Sequence, residues 1–131
     1  MKRLLKENFL LFLLGGFAYY YIEVLWRGFS HISMVLCGGC CFVSVGRITS
    51  FLKNKVSLLM QMFIGSCTIT IIEFLTGAIV NLWLHLNVWD YSDVPMNLLG
   101  QICLKYSVFW FFLTVPCMKV YDWIEENVFS V

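Results

Sequence analysis

Hydrophobic positions run along the chain in four long blocks, about residues 9–27, 31–50, 57–84 and 97–119, divided by short polar breaks. A helix crosses the bilayer hydrocarbon with roughly 20 apolar residues, so each block predicts a spanning helix. The first two blocks meet at Gly28–Ser30, a connection that allows only a tight helical hairpin. Ser50–Val56, with Lys53 and Lys55, joins the second block to the third. The polar run LNVWDYSDVPMN, with Asp90, Asp93 and Pro95, joins the third to the fourth, and KVYDWIEENVFSV closes the chain as a short acidic amphipathic tail. The expectation is an all-α membrane protein of four transmembrane helices, arranged as two tandem helical hairpins in one membrane domain over residues 1–131.

The third block is too long for a straight span. Val56 to Leu86 as one helix would rise roughly 46 Å, against a core of about 30 Å. Either the helix is tilted and protrudes, or it breaks near Gly77 with VNLWLHLNVW lying along the interface. The second is the favoured expectation, and Trp83, Trp89 and Tyr91 fit an aromatic belt. The start, MKRLLKENFLLFLLGG, imitates a signal peptide, yet apolar character continues through Tyr19–Leu25 and no small-x-small site precedes a polar chain. It reads as a retained first span.

The blocks also repeat. GSCTITIIEFLTG (Gly65–Gly77) aligns with Gly15–Arg27 at an offset of fifty residues, placing Glu73 on Glu23. Ser33–Cys41 aligns with Pro95–Cys103 at an offset of 62, matching Met, Leu, Gly and Cys. Two copies, about 9–50 and 57–119, each with two spans, would share one orientation about an axis near the membrane normal.

Composition supports the membrane reading: 60% of the residues are hydrophobic and 13% charged, too few charges for the surface of a soluble domain. No cationic arm, base-stacking motif or P-loop points to nucleic acid or nucleotide. The net charge of +1 conceals an asymmetry. Lys2, Arg3, Lys6, Arg47, Lys53, Lys55 and Lys119 fall on one side and Arg27 on the other, which predicts a multi-pass cell-membrane protein with both termini cytoplasmic. All six cysteines lie in apolar segments, where they serve as small packing residues rather than a disulfide framework.

Polar residues inside the blocks mark the candidate site, because charges in a span face a protein interior or a wet cavity. Gly16, Tyr20, Glu23, Arg27 and His31 form one helical stripe. Ser66, Thr70, Glu73, Gly77 and Asn81 form its counterpart, and Asn97, Gln101 and Lys105 repeat at four in the last block. The second helix offers small residues, Ser30, Ser33, Cys37, Gly38 and Cys41. Such stripes turn toward each other, since lipid satisfies no polar group. The bundle should be dry toward the cytoplasm and polar in its outer half.

Glu23 and Arg27 are spaced for an ion pair, which either locks the hairpin or lines a pocket. Glu73 has no cation on its own helix. It must reach Arg27, be protonated, or bind a cation, or else serve as a helix–helix hydrogen-bond group. His31 has no second histidine at helical spacing, so no metal site is expected. Cys37, Cys40 and Cys41 share a helix face at a spacing that could hold a soft metal or relay redox, though close packing beside Gly38–Gly39 is the simpler reading. Asp90, Asp93 and Asn87 fit either turn chemistry or an outer cation site.

The runs YYxIEVLWRGFSHxSM (Tyr20–Met34), TxxEFxTGxxVNLWL (Thr70–Leu84), NVWDYS (Asn87–Ser92) and NLLGQICL (Asn97–Leu104) resemble the CmpB-like family of type IV ABC-transporter integral membrane proteins. The resemblance covers roughly residues 15–125 and implies a multi-pass permease component, with any ATPase on a separate subunit. It brings no defined substrate, cofactor or catalytic residues.

The leading expectation is a small transport protein or permease subunit with a polar, outward-facing cavity. Its binding residues would be Tyr20, Glu23, Arg27, His31, Glu73, Asn81, Asp90, Asn97 and Gln101. Four helices are few for alternating access, so membrane lipid surrounds a homodimer or larger complex. The alternatives are an accessory protein holding a lipid or partner helix, and a lipid enzyme using Glu73 or Asp90 as acid/base.

Overall fold

A computed structural model describes residues 2–129 of the chain. It contains four helices, α1 (Lys2–Arg27), α2 (Ile32–Leu52), α3 (Leu58–Gly77) and α4 (Leu104–Asn127). A π-helical turn over Ala78–Trp83 extends α3, and a small antiparallel hairpin of β1 (Asn97–Leu98) and β2 (Ile102–Cys103) leads into α4.

The ends of these helices follow from local chemistry. α1 stops at Gly28, which takes φ +85° and donates its N–H to the Val24 carbonyl at 2.8 Å, the left-handed cap that glycine adopts without a Cβ penalty. His31 then caps α2, its Nδ1 accepting the Ser33 N–H at 3.1 Å. Ser57 caps α3 by accepting from the Met60 N–H, satisfying one of the donors a helix start leaves open.

α1, α2, α3 and α4 run up, down, up and down, so both chain ends lie at one end of the bundle. There Arg3 Nη2 donates to the Phe129 carbonyl at 2.6 Å. This terminal end also holds the Arg47–Glu125 and Lys53–Asp122 pairs at 3.5 and 3.8 Å. Of the seven cations expected on one side, Arg3, Arg47 and Lys53 make contacts at this end, while the side chain of Lys2 lies outside the described residues. The opposite loop end carries the Gly28–His31 turn and residues 84–103.

α2 is the central helix: it packs against α1, α3 and α4. Its small residues allow that. A Cβ at Gly38 would stand 2.6 Å from Tyr19 Cβ, and one at Gly46 would enter the ring of Tyr121. Close approach through small residues is how helices gain contact where lipid supplies no hydrophobic drive. The main apolar cluster near the terminal end, Leu11, Phe42, Tyr121 and Ile124, forms around this contact. The outward faces stay apolar, with Phe9, Leu25, Trp26 and Phe112 all more than half exposed. A bilayer is the environment that covers such faces.

Three helical stretches, Arg3–Arg27, Ile32–Leu52 and Leu58–Trp83, are long and apolar enough to cross a membrane. The first begins at the chain start rather than near residue 9. The fourth helix begins later than the expected 97: Asn97–Cys103 form the hairpin and α4 starts at Leu104, and it is not among the three stretches long and apolar enough to cross. Charges at Lys105, Lys119, Asp122, Glu125 and Glu126 bound its uncharged stretch, Tyr106–Met118, which rises only about 20 Å.

The third block does not break at Gly77, which keeps helical angles of φ −63° and ψ −40°. Instead the helix widens, Leu84 N–H bonding back five residues to the Ile79 carbonyl at 2.9 Å. Beyond it the chain folds back over the bundle rather than lying outward. Trp83 is exposed as expected of a belt, but Trp89 is buried, its Nε1–H donating to the Gln101 carbonyl at 3.0 Å. The two stretches aligned as repeats, Ser33–Cys41 and Pro95–Cys103, also differ in conformation, the first helical and the second a hairpin.

The Gly46–Tyr121 contact sets the α2–α4 distance. Gly46→Val should lower unfolding stability in detergent by about 1–3 kcal/mol, the usual cost of forcing atoms into a filled core. Unchanged stability would show that this contact does not set the spacing.

Candidate functional site

The stripe on α3 forms as its spacing requires. Ser66 Oγ donates to the Ser107 carbonyl at 2.6 Å, and Thr70 meets the Ser107 hydroxyl at 2.8 Å. One turn further, Glu73 lies 4% exposed. Its two oxygens accept from Tyr91 OH at 3.1 Å and Trp110 Nε1–H at 3.4 Å. Both donors are neutral, and no ion pair to Glu73 occurs among the described residues. Tyr91 reaches down from the loop end, stacked on Tyr106 with centroids 4.9 Å apart. Burial, reinforced by the neighbouring Glu73 carboxylate, pushes the Tyr91 phenol far above its ordinary value, so it stays a hydrogen-bond donor.

Glu23, the aligned carboxylate on α1, is held differently. Arg27 Nε sits 2.5 Å from Glu23 Oε2, and Tyr19 OH donates to Glu23 Oε1 at 3.1 Å. Arg27 Nη1 also donates to the Val88 carbonyl at 3.1 Å, and its guanidinium lies over the Phe29 ring. The arginine therefore neutralises Glu23 and ties α1 to the loop-end segment. It does not reach across to Glu73. The two carboxylates approach through Tyr19, whose ring meets Trp110 edge-on at 6.2 Å.

Above Glu73, Asn81 organises the fold-back. Its Oδ1 accepts the Val88 N–H at 2.6 Å and the Trp89 N–H at 3.4 Å, while its Nδ2 donates to Gln101 Oε1 at 2.8 Å. Gln101, 3% exposed, also donates to the Leu99 carbonyl. The hairpin turn places Leu99 and Gly100 at φ 56° and 73°, the left-handed pair that a type I′ turn requires. Asn97 staples the same segment, accepting from the Gly100 N–H and donating to the Val94 carbonyl.

The remaining expected residues stand apart from Glu73. Asp90 is exposed and accepts the Ser92 N–H at 2.9 Å, a turn contact that holds its carboxyl below the usual range. His31 serves as the α2 cap. Tyr20 is half-buried on a neighbouring face of α1, and Tyr19 takes the place expected for it. Lys105 is exposed beside the Tyr106 ring rather than continuing a helical stripe from Asn97 and Gln101. Cys37 is buried while Cys40 is exposed, so these thiols do not face one point. Tyr19, Tyr91 and Trp110 are the site residues that periodicity missed. The i,i+4 spacing of Tyr19, Glu23 and Arg27 was a signal for the first, whereas nothing local pointed to the other two.

One apolar cavity of about 240 Å³ reaches this site. α1 and α4 flank it, the central α2 forms its floor, and Tyr19, Glu73 and Trp110 line it at the loop-end side. Of the residues expected to line a cavity, it contains Glu73 alone.

Asn81 should be the fastener of the fold-back. Asn81→Ala leaves two backbone donors unsatisfied, at a cost of about 1–3 kcal/mol. Cys103, 3% exposed, should then be alkylated severalfold faster in detergent while Cys37 keeps its rate. Equal Cys103 rates in variant and wild type would assign the fastening elsewhere.

No solved structure matches this chain. Residues 10–131 match the model of the family described as "Putative ABC-transporter type IV". The chain belongs to that family, and is a membrane protein related to transport.

Proposed function

We propose that this chain is a small permease-type subunit of a membrane transport system, with Glu73 as its substrate-contacting group. The observation that carries the reading is the carboxylate itself: deeply buried, held by two neutral donors, on a residue that lines a cavity. A carboxylate so placed is costly to fold around, and a structural role would be served as well by an amide. Glu23, Arg27, Asn81, Asn97 and Gln101 form the supporting frame that fixes the loop end over it. In this reading α4 is the fourth span, its charged ends at the two interfaces. The working form is a homodimer or larger complex in the cell membrane, with both termini cytoplasmic, driven by a separate ATPase subunit.

A second reading, an accessory protein that holds a lipid or partner helix, is favoured by the position of the cavity between α1 and α4. It predicts co-purifying lipid and no flux.

The discriminating experiment compares wild type and Glu73→Gln, each co-expressed with its transport partners and reconstituted into proteoliposomes. Glu73→Gln should assemble in the same oligomer and lose at least tenfold in transport rate. A strictly monomeric protein that moves no solute, or a variant as active as wild type, would overturn the permease reading.

A further inference from the structure

The cavity has a shape and a charge that select a ligand class. α1 and α4 meet near the terminal end, where Leu11 joins the cluster of Tyr121 and Ile124, and again at the loop end through Tyr19 and Trp110. Between these points they stand apart. The gap is walled by Leu14, Ala18 and Ile22 on one side and Leu113, Pro116 and Val120 on the other. Leu14, Ile22 and Val120 are each about half exposed, so the groove opens sideways, toward the surroundings that the apolar outer faces require. Along α4 it extends from Trp110 to Ile124, about 21 Å of helix rise. Almost all of its wall is hydrocarbon.

Its loop-end terminus is the exception. Glu73 lines it together with the rings of Tyr19 and Trp110. Counting charges around this point, Arg27 pairs with Glu23, and Glu73 has no cation in contact with it among the described residues, so a bound cation is what would hold it ionised. A carboxylate at the end of an apolar groove lined by two aromatic rings is chemistry that holds an ammonium, by ion pairing with the acid and by the rings' attraction for a cation in the groove. The apolar walls then require that the rest of the ligand be hydrocarbon. A phospholipid amine fits poorly, since its phosphate would bring a second negative charge beside Glu73 in a dry site.

We propose that the groove between α1 and α4 binds a lipophilic monoamine entering sideways from the bilayer, its ammonium against Glu73 and its apolar body along Leu14, Ala18, Leu113 and Val120. This deepens the permease reading by naming the substrate class, and it rests on Glu73 being the contact group.

The test is equilibrium binding to the full chain in nanodiscs, read by tryptophan fluorescence and by protection of Cys117, a groove residue, from N-ethylmaleimide. The probes are dodecylammonium, dodecanol and dodecyl sulfate. Wild type should bind dodecylammonium saturably and at least tenfold more tightly than the other two, with Cys117 protected. Glu73→Gln should lose that tenfold preference while keeping dodecanol binding. Leu113→Trp, which fills the groove without touching the carboxylate, should abolish binding of all three. Equal affinity of wild type for amine and alcohol overturns the proposal without recourse to any variant. An unchanged preference in Glu73→Gln, or unchanged binding in Leu113→Trp, overturns it as well. Amine binding without flux in proteoliposomes would overturn the permease reading and leave the ligand class standing; flux of another solute without amine binding would do the reverse.

Discussion

A carboxylate inside an apolar bundle is the constraint on which the loop-end half of this protein depends. Glu73 sits one helical turn beyond Thr70 and one before Gly77, on the face that α3 turns toward α4. Lipid offers it nothing, and a dry interior penalises it. The fold responds by bringing donors from two distant places: Trp110 from α4 and Tyr91 from the fold-back. To deliver Tyr91, the chain after Trp83 must reverse, and that reversal is held by Asn81, Gln101 and the Arg27–Val88 contact. The polar frame is thus a consequence of where one acid lies.

The terminal half obeys a different rule. Its contacts are close-packed, Gly46 against Tyr121 and Gly15 against Phe42, with ion pairs confined to the rim. Rim pairs of this kind are worth little individually, so packing rather than charge holds that end. The cavity lies where these two regimes meet. α1 follows α2 closely, and the gap it leaves toward α4 is closed at the Tyr19–Trp110 contact and at the cluster of Leu11, Tyr121 and Ile124.

Much of this was legible in the sequence because it is periodic. The stripe Ser66, Thr70, Glu73, Gly77 and Asn81 is a repeat of 3.6, and each of its members faces a partner in α4 or the fold-back. The Glu23–Arg27 pair follows from i,i+4 spacing alone. Periodicity failed where the chain stops being helical. Asn97, Gln101 and Lys105 recur at four and imitate a helix face, but Gly100 and the left-handed Leu99 make a turn there instead. Trp89 read as interfacial because tryptophan favours interfaces. Only the tertiary fold shows that its N–H has a buried carbonyl to meet. Tyr91 and Trp110, far from Glu73 in the chain, left no local trace at all.

The central claim is that the negative charge at position 73 serves a ligand, while that at position 23 serves the fold. Unfolding free energies of Glu73→Gln and Glu23→Gln, measured side by side in the same detergent, test it most directly. Glu73→Gln should be as stable as wild type or more so, because an amide keeps an acceptor and sheds the charge. Glu23→Gln should lose about 1–3 kcal/mol, since it leaves the half-buried guanidinium of Arg27 without its counter-charge. The reverse order, with Glu73→Gln the more damaged, would make Glu73 a structural residue and contradict the account.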